Sequence, residues 1–172
     1  MENNAFNVRQ LCYYKSDKHV RVYCNEKEIW FLWLANQSFM ELIFEIVNIY
    51  MLGLGFGMRK YFLKRFCSKI DLAAEKADHS FNNQGNPSRR RNYKKKLNEI
   101  KSSTIYHAKS GFGHGAPVGF WRFLLTNNKT IKLQFDKVDE MKKAIKVLPD
   151  VFGDRLKTLV KWDNEKNCFV KK

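Results

Sequence analysis

Acidic side chains are scarce through the middle of this chain: between Asp78 and Asp136 only Glu99 carries a carboxylate. That stretch therefore offers no paired carboxylates for general acid–base work, and no order of Ser, His and Asp suggests a nucleophilic triad. His107 and His114 flank a glycine-rich stretch near Tyr106 and Lys109. A lone histidine beside basic residues more often contacts phosphate or solvent than it catalyses. The four cysteines (Cys12, Cys24, Cys67, Cys168) lie far apart, with no C-x-x-C pair and no histidine at ligand spacing, so zinc-finger arithmetic fails. They read as reduced thiols of a cytosolic or nuclear protein, and the polar first twenty residues lack the apolar core of a secretory signal. The expectation is a protein without catalytic residues, metal or cofactor.

Long apolar runs are also missing, with one exception. Phe39 to Met58 is mainly apolar and is followed by Arg59-Lys60 and Lys64-Arg65, the length and flank of a membrane span. Glu41, Glu45 and Asn48 interrupt it, and each carboxylate would cost roughly 3 kcal/mol at a bilayer centre. Glu41 and Glu45 stand one helical turn apart and give the segment a polar stripe. An amphipathic helix explains this better than a span; membrane association is the alternative. Neither Gly53–Gly57 nor Gly111–Gly119 has the spacing of a phosphate-binding loop.

What the chain has in excess is positive charge, with 32 Lys/Arg against 17 Asp/Glu and a net charge of +15. Residues 58–109 hold fourteen of the basic and four of the acidic residues; residues 1–57 sum to −1 and residues 110–172 to +6. Charge so unevenly spread implies a polyanionic partner, most simply the phosphate backbone of nucleic acid. At the centre is Ser88-Arg89-Arg90-Arg91-Asn92-Tyr93-Lys94-Lys95-Lys96, which would also serve as a nuclear-import signal. The expected contacts are Arg89, Arg90, Arg91, Lys94, Lys95 and Lys96, with a second patch of Arg59, Lys60, Lys64 and Arg65. Lys109 and Arg122 are lesser candidates, and Lys142, Lys143 and Lys146 form a third face. Arginine would fork across phosphate oxygens and lysine would act as a point charge. Tyr61, Phe62, Phe66, Tyr93 and Tyr106 stand in or beside this stretch, suited to base stacking and to core packing alike. Nothing points to base-edge readout, so binding is expected to be largely independent of sequence, to double-stranded DNA ahead of RNA. An acidic protein is the rival partner, and self-association is compatible with either.

A hydrophobic content of 44% with 15% aromatic residues is ample for a packed core. One domain is expected over residues 6–150, with a C-terminal extension over 151–172. Val20, Val22 and Cys24 alternate ahead of a polar turn, Asn25-Glu26-Lys27, and an apolar strand from Glu28 to Leu34. A hairpin centred on 25–27 follows, with a further strand within Phe6–Tyr14. Phe39 to Met51 has a helical period that Gly53, Gly55 and Gly57 break; Met58 to Lys69 returns as a basic helix, extended by Asp71 to Asp78. Residues 79–92 are rich in turn formers and read as a flexible basic loop, and Tyr93 to Ile100 as a short helix. Trp121–Leu125 and Thr130–Phe135 read as strands around Asn127-Asn128-Lys129. Asp136 to Leu148 reads as a helix ended by Pro149, and Arg155 to Val170 as a strand pair around Asp163-Asn164-Glu165. The fold class is α+β: an N-terminal hairpin, then helices, then a second short strand pair.

Several segments together resemble the N-terminal domain of the baculovirus repeated-ORF proteins (Bro-N). Phe6-Asn7-Val8-Arg9, Val20-Arg21-Val22 and Glu28-Ile29-Trp30-Phe31-Leu32 look like that family's opening hairpin, and Leu34-Ala35-Asn36 with Phe39 like the helix start after it. Tyr93 to Ile100, followed by Tyr106-His107-Ala108-Lys109-Ser110, is similar to its middle. Trp121 to Leu125 falls where the family has a helix, and Val147-Leu148-Pro149 near its domain end. Residues 41–92 depart from the pattern, and Gly113 to Gly119 replaces a phrase usual in the family. The resemblance implies an α+β viral protein that binds DNA with little sequence preference in the nucleus of an infected cell.

Overall fold

The computed structural model describes residues 5–12, 16–36, 56–84, 91–108 and 117–172, and in the first helix the side chains from Lys64 to Asn82. In chain order the elements are β1 (Phe6–Gln10), β2 (Lys18–Cys24), β3 (Glu28–Asn36), α1 (Phe56–Gln84) and β4 (Tyr93–Lys96). A 3-10 turn (Leu97–Glu99) leads into β5 (Ile100–His107), β6 (Gly119–Leu125), β7 (Thr130–Phe135) and α2 (Val138–Phe152). A second 3-10 turn (Gly153–Arg155) precedes β8 (Leu156–Thr158), β9 (Val160–Asp163) and β10 (Cys168–Lys171). Among the described residues eight strands form one sheet in the order β4-β3-β2-β1-β7-β6-β5-β8, and β9 pairs with β10. Every pairing is antiparallel except that of β8 with β5.

The sheet curls on itself. Phe31 of β3 and Phe123 of β6 lie four strand spacings apart along it, about 19 Å at the usual interstrand distance. Their ring centroids are only 6.0 Å apart. Strands that twist and coil can bring such residues together across an interior. Leu97–Glu99 carries the chain from β4 at one end of the sheet to β5 near the other. Arg155 fastens that junction, donating from Nη1 to the carbonyls of Leu97 (2.7 Å) and Ile100 (3.1 Å).

Alternation then sorts side chains into two sets. Inward go Phe6, Val8, Val20, Val22, Ile29, Phe31, Ile105, Trp121, Phe123, Leu133 and Phe135, all buried in one cluster. Trp121 is completely buried against Phe6, Phe123 and Phe152, and its indole N–H donates to Ser103 Oγ at 2.7 Å. α2 joins the same cluster through Met141, Ala144, Leu148 and Phe152. Its Glu140 stands in for a strand where β1 has left β7: Oε2 accepts the backbone N–H of Asn7 (2.9 Å) and Oε1 the Asn7 side-chain amide (3.3 Å). Gly119 permits the close approach of α2, since a Cβ there would fall 2.7 Å from Met141 Cε and 3.0 Å from the Tyr106 carbonyl oxygen.

α1 lies outside the curl, over β2 and β3. Asp78 accepts Arg21 Nε (2.9 Å) and Nη2 (2.8 Å) and the Tyr23 hydroxyl, while Arg21 Nη1 reaches Asn7 Oδ1 (3.1 Å). Burial and the Asp78 carboxylate hold the Tyr23 phenol well above its ordinary pKa. Phe81 stacks on Tyr23 with centroids 4.0 Å apart and meets Trp30 edge-on, and Phe66 meets His19.

The α+β class and the 25–27 hairpin are observed, as are the strands on either side of Asn127-Asn128-Lys129, where Asn128 takes a positive φ of 61°. Elsewhere tertiary pairing overrides local expectation. Tyr93 to Lys96 is a strand rather than a helix, because Tyr93 stacks inward on Phe31 (4.6 Å) and the segment pairs with β3. Residues 79–84, expected within a flexible loop, continue α1, anchored by Phe81. α2 runs through Pro149 to Phe152, because Pro149 sits on the exposed side and Phe152 is drawn into the core. The residues beyond 150 share the main core through Phe152, Val160 and Phe169, and β8 is bonded to β5. Trp121–Leu125, placed at a helix by the Bro-N resemblance, is strand β6. The apolar stretch expected as a helix from Phe39 to Met51 lies outside the described residues. None of the four cysteines is in a disulfide, and burial pushes the Cys24 thiol pKa up to about 12.

Removing Asp78 would leave the Arg21 guanidinium and Tyr23 hydroxyl without their carboxylate, against the side of α1 that carries Ala74, Ala77 and Phe81. Asp78→Ala should therefore lower stability by about 3 kcal/mol in urea unfolding. Asp78→Asn, which can still accept from Tyr23, should cost less.

Candidate nucleic-acid interface

Among its described residues the basic run does not form one free patch. Arg89 and Arg90 lie outside the described residues. Arg91 is exposed, with its guanidinium 4.6 Å from the Trp33 ring centroid. On β4, Lys94 Nζ is 3.0 Å from Glu28 Oε2 and 4.7 Å from the Trp30 centroid, and Lys95 Nζ is 3.5 Å from Glu99 Oε2. Lys96 is exposed. Such half-exposed ion pairs are weak, so these lysines still present charge to a partner. Arg59 and Lys60 fall on the first turns of α1, with side chains outside the described set; Lys64 and Arg65 are exposed on its outer side. Lys109 lies outside the described residues. On α2, Lys143 and Lys146 are exposed, while Lys142 Nζ rests 3.6 Å from the Trp162 centroid. The expected cations are thus spread over a sheet edge and two helices.

Arg122 is placed differently, and the neighbours it gains were not expected. With Trp121, Phe123 and Leu125 inward, alternation along β6 turns Phe120 and Arg122 outward. In register, Arg122 lies opposite Lys132 of β7 and Thr104 of β5, and Thr104 opposite Lys157 of β8. Lys132, Arg122, Thr104 and Lys157 therefore line up across four adjacent strands, about 14 Å from end to end at the usual strand spacing. Arg122, Lys132 and Lys157 are exposed, and β5 to β8 contain no Asp or Glu at all.

Beside this line, two residues along β5 and β6 at the next outward-facing pair, Tyr106 faces Phe120. Their rings are offset-stacked, with centroids 5.4 Å apart and planes at 28°. Lys132 Nζ sits 4.2 Å from the Phe120 centroid and the Arg122 guanidinium 6.0 Å from that of Tyr106. Both rings are partly exposed. Partial burial raises the Tyr106 phenol pKa and the Arg122 charge opposes the shift, so the ring is neutral and keeps its hydroxyl proton at neutral pH. Asp136, which directly follows β7, is engaged by Arg9 (3.3 Å) and Gln134 (2.7 Å). Tyr106 stands out in the sequence beside the basic stretch, whereas Phe120, Lys132 and Lys157 do not. The signal available was the period-two alternation of Gly119–Leu125 and Thr130–Phe135, which assigns their faces once the inward set is known.

His107 pairs with Gly119 on the interior side, away from this surface. Among the described residues no cluster of three or more His, Cys, Asp or Glu is placed to hold a metal ion, and no helix is long and apolar enough to cross a membrane. No family model, no curated protein and no solved structure matches the chain.

Like charges directly opposite on a sheet are destabilising, so the Arg122–Lys132 pair costs the fold something. Arg122→Glu, which turns it into an opposite-charge pair, should raise stability by about 0.5 kcal/mol in chemical denaturation. A loss of more than that would mean that Arg122 is held for structural reasons.

Proposed function

We propose that this protein binds nucleic acid through its phosphates, without catalysis and with little sequence preference, and that the outer face of β5 to β8 is a principal contact surface. The observation that carries this reading is the line Lys132–Arg122–Lys157: three exposed cations in register on four strands devoid of carboxylates. Mutual repulsion disfavours such a line in an isolated fold, and a phosphate backbone relieves it. The +15 net charge supplies long-range attraction, and the cations of β4, α1 and α2 extend the field around the molecule. The Bro-N resemblance points to the same partner and to a nuclear setting. Cations alone neutralise phosphate on a duplex or a single strand, on DNA or RNA, so they favour none of these.

A second reading rests on Phe39 to Met58, whose apolar run leads into Arg59, Lys60, Lys64 and Arg65, the last two exposed on α1. It would make the chain membrane-associated, with the basic flank on anionic lipid. Retention in the pellet after carbonate extraction would favour it, and release would disfavour it.

For the first reading, anisotropy titration of a labelled oligonucleotide at several salt concentrations gives the number of phosphates engaged. Replacing Arg122, Lys132 and Lys157 together by Gln should flatten the log K against log salt slope by about 2–3. An unchanged slope would remove this face from the site. Neutralising Arg89–Arg91 in parallel measures the share of the basic run.

A further inference from the structure

We infer that Tyr106 and Phe120 form a stacking platform that makes the β5–β8 face select single-stranded over double-stranded nucleic acid. The inference rests on the nucleic-acid reading above and sharpens it from polyanion to unpaired bases. Two aromatic rings on an outward sheet face, partly exposed, are a poor use of hydrophobic area unless something covers them. The surroundings restrict what can. An apolar protein surface would have to desolvate Arg122, Lys132 and Lys157, whereas an anionic chain carrying flat, aromatic groups satisfies cations and rings at once. The geometry matches that double demand. The rings sit side by side on adjacent strands, and the cations lie two register positions away along β5 and β6, at the next outward-facing pair. Phosphates along the cation line would thus bring successive bases over Phe120 and Tyr106.

Strandedness follows from the same arrangement. In a duplex the base faces are buried in the stack, so the rings have nothing to receive, while the cations still reach phosphate. In a single strand the bases can turn out onto the rings. The stacking contribution is tolerant of sequence, because every base presents a π-face. Tyr106 acts here through its ring and not through its hydroxyl.

The test compares a labelled fifteen-nucleotide oligo(dT), the same length of oligo(U) and a fifteen-base-pair mixed-sequence duplex, by anisotropy in 0.15 M salt. The intact protein should bind both single strands about 10-fold more tightly than the duplex. Tyr106→Leu and Phe120→Leu, which keep apolar bulk on the sheet, should each lose about 10-fold on single strands and leave duplex binding unchanged. Tyr106→Phe should retain wild-type affinity, and Arg122→Gln with Lys132→Gln should weaken all three ligands together. Circular dichroism and thermal melting of each variant establish that it is folded. A wild-type protein that binds duplex as tightly as single strands, or a preference that survives in both Leu variants, overturns the platform while leaving nucleic-acid binding intact. Failure to bind any of the three ligands overturns the underlying functional reading and the platform with it.

Discussion

Trp121 is the largest fully buried side chain of the core. Its ring lies against Phe6 from β1, Phe123 from its own strand and Phe152 from α2, and its indole N–H is satisfied by Ser103 on the next strand. A buried indole of this size must find both apolar neighbours and one acceptor, and β1, β5 and α2 supply them. Once Trp121 is fixed inward, alternation leaves no choice for its neighbours: Phe120 and Arg122 must face out. The exposed cation–aromatic surface is therefore a consequence of the same interaction that organises the core.

α1 and α2 settle which parts of the outer face remain free. The Asp78 carboxylate, shared by Arg21 and Tyr23, ties α1 to β2, and Phe81 extends the contact to β3. Those strands lose their outer face to the helix. α2 instead enters the interior, with Glu140 completing the hydrogen bonding of β1. The two helices thus act on opposite sides of the sheet. Among the described residues, Arg122, Lys132 and Lys157 keep their exposure and Tyr106 and Phe120 part of theirs.

The distribution of charge has a physical logic of its own. Lys94 and Lys95, in the densest part of the sequence, have carboxylate partners in Glu28 and Glu99, because β4 pairs with β3 and leads straight into the turn carrying Glu99. The cations of β5 to β8 are sparse in sequence and have no acid on their own strands. Density along the chain and availability in space are different quantities. Strand register, which brings residues 104, 122, 132 and 157 together, decides the second.

Much of the local structure was legible from residue order. The hairpin at 25–27, the strands around Asn127-Asn128 and the amphipathic helix before Phe152 each announce themselves by period and turn chemistry, which act over a few residues. So does the cationic excess, which composition alone establishes. The strand at Tyr93–Lys96 was not legible, because three lysines carry no strand preference and only pairing with β3 and stacking on Phe31 make one. Nor was the candidate site, whose members are separated by up to fifty-three positions between Thr104 and Lys157. The amino-acid sequence determined that this protein would be basic, aromatic and α+β, since those properties are additive over residues or set by neighbours along the chain. Which cations and rings share a surface was decided only by the order and register of the strands, because these depend on contacts between residues that the chain itself keeps far apart.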